Sequence, residues 1–145
     1  MKSSMRLTHR LLCPGALFLV LAVVSEAGAQ PKAVKLTNEW KGSVEDANLQ
    51  KGAPECITTQ EGLEKLWKAW KLADKPPKVD FSKEIVIIGT TSGSRLNLSA
   101  RLDEKGNLEI LGIATSDFGP GFRYVIGTVP REGVKTVNKK DLPKE

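Results

Sequence analysis

Histidine is nearly missing from this chain. Of 145 residues only His9 is one, and it falls in a segment read below as a removable leader. Beyond that segment stands a single cysteine, Cys56. Ser-His-Asp and Cys-His catalysis therefore lack their base, and zinc sites built from Cys and His lack ligands. One cysteine cannot close an intramolecular disulfide, so stability has to come from packing, for which about 115 residues suffice. Charge of one sign is scarce as well: 22 Lys and Arg against 17 Asp and Glu leave +5. So weak a field offers nucleic acid little to bind. No apolar run reaches the ~18–20 residues that span a bilayer. These gaps predict a protein that is not an enzyme, holds no cofactor or metal, and binds no nucleic acid.

What is present begins with an address. Lys2, Arg6 and Arg10 stand without an acid in the first ten residues. Leu11 to Val24 is apolar apart from a Pro14–Gly15 break, and Ala27-Gly28-Ala29 supplies the small residues of a cleavage site before Gln30. Basic, apolar and small-residue regions in that order make residues 1–29 a signal peptide. The protein is expected to be exported, periplasmic or extracellular, with no membrane span after processing. The remaining 116 residues carry 19 basic and 16 acidic side chains, or +3. They are expected to form one domain, 30–145, with 30–35 and 138–145 mobile at its ends.

Hydrophobic spacing sets the fold class. Residues 34–44 read as a first strand, with Val34, Leu36 and Trp40 on alternate positions. Ser43–Pro54 reads as a connection. Thr58 and Glu61 have the spacing of a capping box. Leu63, Leu66, Trp67 and Trp70 then recur at i, i+3, i+4 and i+7, one face of a helix, with Glu61–Lys65 and Glu64–Lys68 as ion pairs outside. Pro76–Pro77 closes that segment. Ile85-Val86-Ile87-Ile88 is a continuous β-branched run, the mark of a strand covered on both faces. Leu96, Leu98, Ala100 and Leu102 alternate with polar residues, as in a half-buried strand. In the next strand the apolar phase changes from Leu108 and Ile110 to Leu111 and Ile113, predicting a bulge at Gly112. Tyr124–Val129 and Val134–Val137 complete the strands. The sum is an α+β domain, one amphipathic helix packed on a mostly antiparallel sheet of about five to six strands.

Few motifs carry chemistry. Asp117-Phe118-Gly119 spells a kinase tripeptide without any companion part of that enzyme. Gly89–Gly93 lacks the G-K-[ST] ending of a phosphate loop and reads as a turn. Cys56 is the one candidate nucleophile, ahead of a helix start that could lower its pKa; the competing reading is a buried inert thiol. Asn97-Leu98-Ser99 is a glycosylation tripeptide. Trp67 and Trp70 share the core stripe, whereas Trp40 is free to serve as a stacking platform. The most promising recognition surface is Ser116–Arg123. There Asp117, Phe118, Phe122 and Arg123 sit on a Gly-Pro-Gly frame, suited to a partner contact. The alternative is that both rings turn into the core.

The stretch Ile57–Arg131 resembles the C-terminal domain of the protease-complex subunit PrcB family. The resemblance is carried by Leu66-Trp67, Pro76-Pro77, Val79-Asp80-Phe81, the strand Ile85–Gly89, and the closing Tyr124-Val125-Ile126-Gly127-Thr128-Val129-Pro130-Arg131. The chain departs from that family at Gly93-Ser94-Arg95, where Gly-Gly-Tyr is usual. The resemblance implies an exported protein that supports the assembly or stability of a partner protease, with no catalytic residues to carry over. The favoured expectation is a non-catalytic interaction module with a protein partner. A glycan or small-ligand binder using Trp40 or the Phe118–Phe122 loop, and a thiol enzyme at Cys56, are the alternatives.

Overall fold

A computed structural model describes residues 28–144; nearly all of the proposed leader lies outside the described residues. The chain runs β1 (Lys32–Val34), β2 (Asn38–Val44), a 3-10 turn (Ala47–Gly52), β3 (Cys56–Ile57), α1 (Gln60–Ala69), β4 (Glu84–Thr91), β5 (Leu96–Leu102), β6 (Asn107–Ala114), β7 (Phe122–Pro130), β8 (Thr136–Val137) and β9 (Lys140–Asp141). The fold is α+β and mostly antiparallel. Its strands divide into two sheets, β1-β5-β6-β8-β9 and β2-β7-β4-β3. Among the described residues only β6 and β8 run parallel.

The four-stranded sheet is the middle of three layers, and β4 shows why. Val86 and Ile88 join the cluster under α1, with Leu63, Leu66, Trp67 and Trp70. Ile85 and Ile87 join the cluster against the five-stranded sheet, with Ala100, Leu108 and Val129. The unbroken β-branched run is thus read correctly as a strand covered on both faces. β5 alternates as its sequence predicts, with Leu96 and Ala100 buried and Asn97, Ser99 and Arg101 exposed.

Three expectations change. Residues 34–44 are not one strand. β1 pairs with β5 in one sheet and β2 with β7 in the other. Lys35–Thr37 carries the chain between them, Leu36 packs into the inter-sheet core, and the Thr37 N–H already donates to the Thr128 carbonyl at 2.8 Å. The helix cap is Thr59, whose hydroxyl accepts the Gly62 N–H at 3.2 Å; the Thr58 hydroxyl donates instead to the Pro143 carbonyl at 3.3 Å. No bulge interrupts β6, which holds one register against β5 from Leu102↔Leu108 to Leu96↔Ala114. Leu111 and Ile113 consequently stay on the outer face. The end segments 30–35 and 138–145 include the short strands β1 and β9.

The helix ends well before Pro76. Lys71 takes φ 53°, its N–H donates to the Lys68 carbonyl at 3.2 Å and the Leu72 N–H to the Trp67 carbonyl at 3.1 Å. That is a Schellman closure with lysine where glycine is favoured. Outside the helix stripe, Glu61 and Lys65 pair at 2.9 Å, while Glu64 accepts from Gln60 Nε2 at 3.4 Å. Lys71 is exposed, so Lys71→Gly is expected to add about 0.5–1 kcal/mol of stability by relieving the left-handed conformation. A thermal melt would show it as a midpoint a few degrees higher.

Candidate functional site

The Ser116–Arg123 loop crosses from β6 in one sheet to β7 in the other. It is clamped to the turn between β4 and β5. Asp117 Oδ1 accepts the Ser94 N–H at 3.0 Å. Thr115 Oγ1 accepts the Arg95 N–H at 3.1 Å and lies 3.2 Å from Ser94 Oγ. The Gly119 N–H donates to the Ser92 carbonyl at 3.2 Å. Gly93 permits this approach, because a Cβ there would stand 2.2 Å from the Thr115 carbonyl oxygen. Ser94 and Thr115 stabilise the Asp117 carboxylate and hold its pKa well below the ordinary range, which keeps its clamp ionised through neutral pH.

The clamp separates the two rings of the loop. Phe122 is 1% exposed and meets Trp70 edge-on, with ring centroids 5.2 Å apart. It is a core residue and not part of the surface. Phe118 is 91% exposed. Trp40 is half-buried and packed against the helix-side cluster. Arg123 lines a cleft of about 500 Å³ together with Lys41, Arg95, Ser43, Ser94 and Asn97. Gly42, Leu96, Tyr124 and Val125 complete its lining. No acid lines this cleft, although Lys41 also pairs with Glu39. Of the five residues singled out from sequence, Arg123 lines this cleft and Asp117 bonds Ser94, which also lines it, while Phe118 follows Asp117 on the exposed loop. Lys41 and Arg95 had no sequence signal: their nearness to Arg123 arises from pairings between distant strands.

Cys56 lies elsewhere, between the two sheets. It is 7% exposed. Burial pushes its thiol up to about 11, only partly offset by Arg131. An activated nucleophile needs the opposite shift. Two outcomes are expected. At neutral pH a soluble alkylating reagent should react with native Cys56 about a hundredfold more slowly than with the unfolded chain. The sign for stability follows from linkage. The unfolded thiol ionises near 9 while the folded one stays neutral, so stability falls as pH rises from about 9 to about 11. Cys56→Ala should remove that decline of about 2–3 kcal/mol in alkaline denaturant titrations.

Among the described residues no helix is long and apolar enough to cross a membrane, and no three His, Cys, Asp or Glu side chains gather as metal ligands would. No family model, curated protein or solved structure matches the chain.

Proposed function

We propose that the protein is an exported, non-catalytic interaction module that engages a protein partner through the clamped Ser116–Arg123 loop. Phe118 is the anchor. The observation that carries this reading is a large aromatic ring held almost fully in solvent on a loop fixed by hydrogen bonds to another turn. Such a ring gains apolar burial only from a partner, and a fixed loop loses little freedom on docking. Asp117 acts as the clamp and Arg123 as a flanking charge. The resemblance to the PrcB domain supports a partner that is a larger exported protein, such as a protease.

The test is capture from the native envelope with wild-type and Phe118→Ala chains side by side. A partner enriched by the wild type should bind Phe118→Ala about thirtyfold or more weakly, with an unchanged melting temperature. Absence of any enriched partner, or equal capture by both chains, would sink the reading. A second reading, binding of a small anionic ligand, draws on the Lys41, Arg95 and Arg123 cleft. Calorimetric titration with a panel of anionic sugars would give heat that Arg123→Gln abolishes; silence across the panel would remove it.

A further inference from the structure

We propose that the cavity lined by the end of α1 and by the segment from β2 to the 3-10 turn binds an alkylammonium cation, with the aliphatic stem on its apolar lining and the charge among its acids. The cavity holds about 580 Å³. Its charged lining is Glu45, Asp46 and Asp74, with Lys71 as the opposing charge. The site is thus net negative on a chain of +5. All four of these residues are exposed. Leu49, Leu72 and Tyr124, which also line it, are half-buried, and Trp67 and Trp70 are buried.

Local structure sets these groups in place. Trp70 is the C-cap of α1, so the negative end of the helix dipole falls at this cavity. Trp67 Nε1 donates to the Asp74 carbonyl at 2.8 Å, which ties the turn after the helix back to it. A Cβ at Gly42 would stand 2.5 Å from the Tyr124 hydroxyl. Glycine there lets the Tyr124 ring lie over β2, where it meets Trp70 at 5.3 Å between centroids. Burial, and after it the Asp74 charge, pushes the Tyr124 hydroxyl up, so the field of Asp74 reaches that ring. Among the described residues none of the three carboxylates forms an ion pair. Asp46 accepts from the Asn48 N–H at 3.0 Å and from its side-chain amide at 3.1 Å.

Charge and apolar surface together select the occupant. The three acids do not gather as metal ligands would, and a bare divalent cation needs a close set of oxygens. A long amine satisfies both parts of the lining. Its methylenes cover Leu49 and Leu72 while the ammonium stays hydrated beside the carboxylates, and the Tyr124 ring attracts a cation near its face. A neutral chain forfeits the charge, and an anion is repelled. The cleft of Lys41, Arg95 and Arg123 has the opposite sign. Free polyamines and the lysine side chains of a protein share this chemistry.

Calorimetric titration at low salt tests this on the chain purified as its own cells leave it, with spermidine and tetralysine as probes and hexanediol as the neutral control. At least one amine should saturate at micromolar to millimolar concentration, and hexanediol should give no heat. Tighter binding of spermidine assigns the site to a free amine; tighter binding of tetralysine assigns it to a partner's lysine. The double variant Glu45→Gln, Asp74→Asn should bind about tenfold more weakly, with an unchanged melting temperature. Asp46 is left intact because it caps the 3-10 turn. Lys71→Gly should bind about threefold more tightly, because the opposing charge is gone. Glu104→Gln, an exposed acid in the turn between β5 and β6, should bind as the wild type does. Silence with both amines overturns the proposal, and so does equal heat from hexanediol. Wild-type affinity in the double variant, weaker binding by Lys71→Gly, or equal weakening by Glu104→Gln does the same. None of these readouts depends on Phe118 or on an envelope partner.

Discussion

Replacing Trp70 by alanine is expected to remove about 3–5 kcal/mol of stability and lower the melting midpoint by roughly 12–20 °C. The residue is the C-cap of α1 and is 4% exposed. Its ring touches two side chains of β7, Phe122 at 5.2 Å and Tyr124 at 5.3 Å between centroids. Truncation therefore unseats the helix from the middle sheet and leaves a void that neighbouring rings cannot close. Trp70→Phe keeps an aromatic against both partners and should recover about half of the loss. Trp40→Ala, at a half-buried edge-strand position, should cost much less. Thermal denaturation of the three variants distinguishes the outcomes; equal midpoints for Trp70→Ala and Trp40→Ala would refute the role assigned to Trp70.

Two glycines in the same loop should respond in opposite ways. Gly121 has φ +69°, and a Cβ there would lie 2.0 Å from the Val44 carbonyl oxygen. Gly121→Ala combines a disfavoured backbone with a clash against main chain that has no rotamer to escape into. A loss of about 2–4 kcal/mol is expected. Gly119 has nothing within 4 Å of the same position, and Gly119→Ala keeps the N–H that bonds Ser92. It should be neutral within about 0.5 kcal/mol. Denaturant titrations of both variants provide the check, and they also separate the loop's docking to β2 from its general tolerance.

Local patterns were legible because they answer to local causes. The stripe of Leu63, Leu66, Trp67 and Trp70 needs only helical spacing, and all four are buried. The run Ile85–Ile88 needs only to be apolar on both sides. The splitting of residues 34–44 was not legible, because Leu36 is apolar in either arrangement and only the distant strands β5 and β7 decide which sheet each half joins. The phase change in β6 was visible, but its meaning depended on the edge. A bulge would have buried Leu111 and Ile113, whereas the continuous register leaves them facing outward beside an unpaired strand edge. Thr58 and Thr59 are equivalent in composition; their difference lies in which hydroxyl faces the first helical turn. Phe118 and Phe122 could not be told apart by residue type. Their opposite fates follow from the bond of Asp117 to Ser94, 23 positions earlier.

The pairing of β2 with β7 sets Asn38 against Thr128, 90 positions apart, and β7 also lies against β4. Assembly is thus gated by the last quarter of the chain. The β5–β6 hairpin closes over a short loop, but the support beneath α1 awaits Phe122–Pro130. High contact order of this kind slows folding, because long loops must close before their contacts repay them. A nascent chain stopped before Phe122 keeps the hairpin and leaves its helix with half a floor.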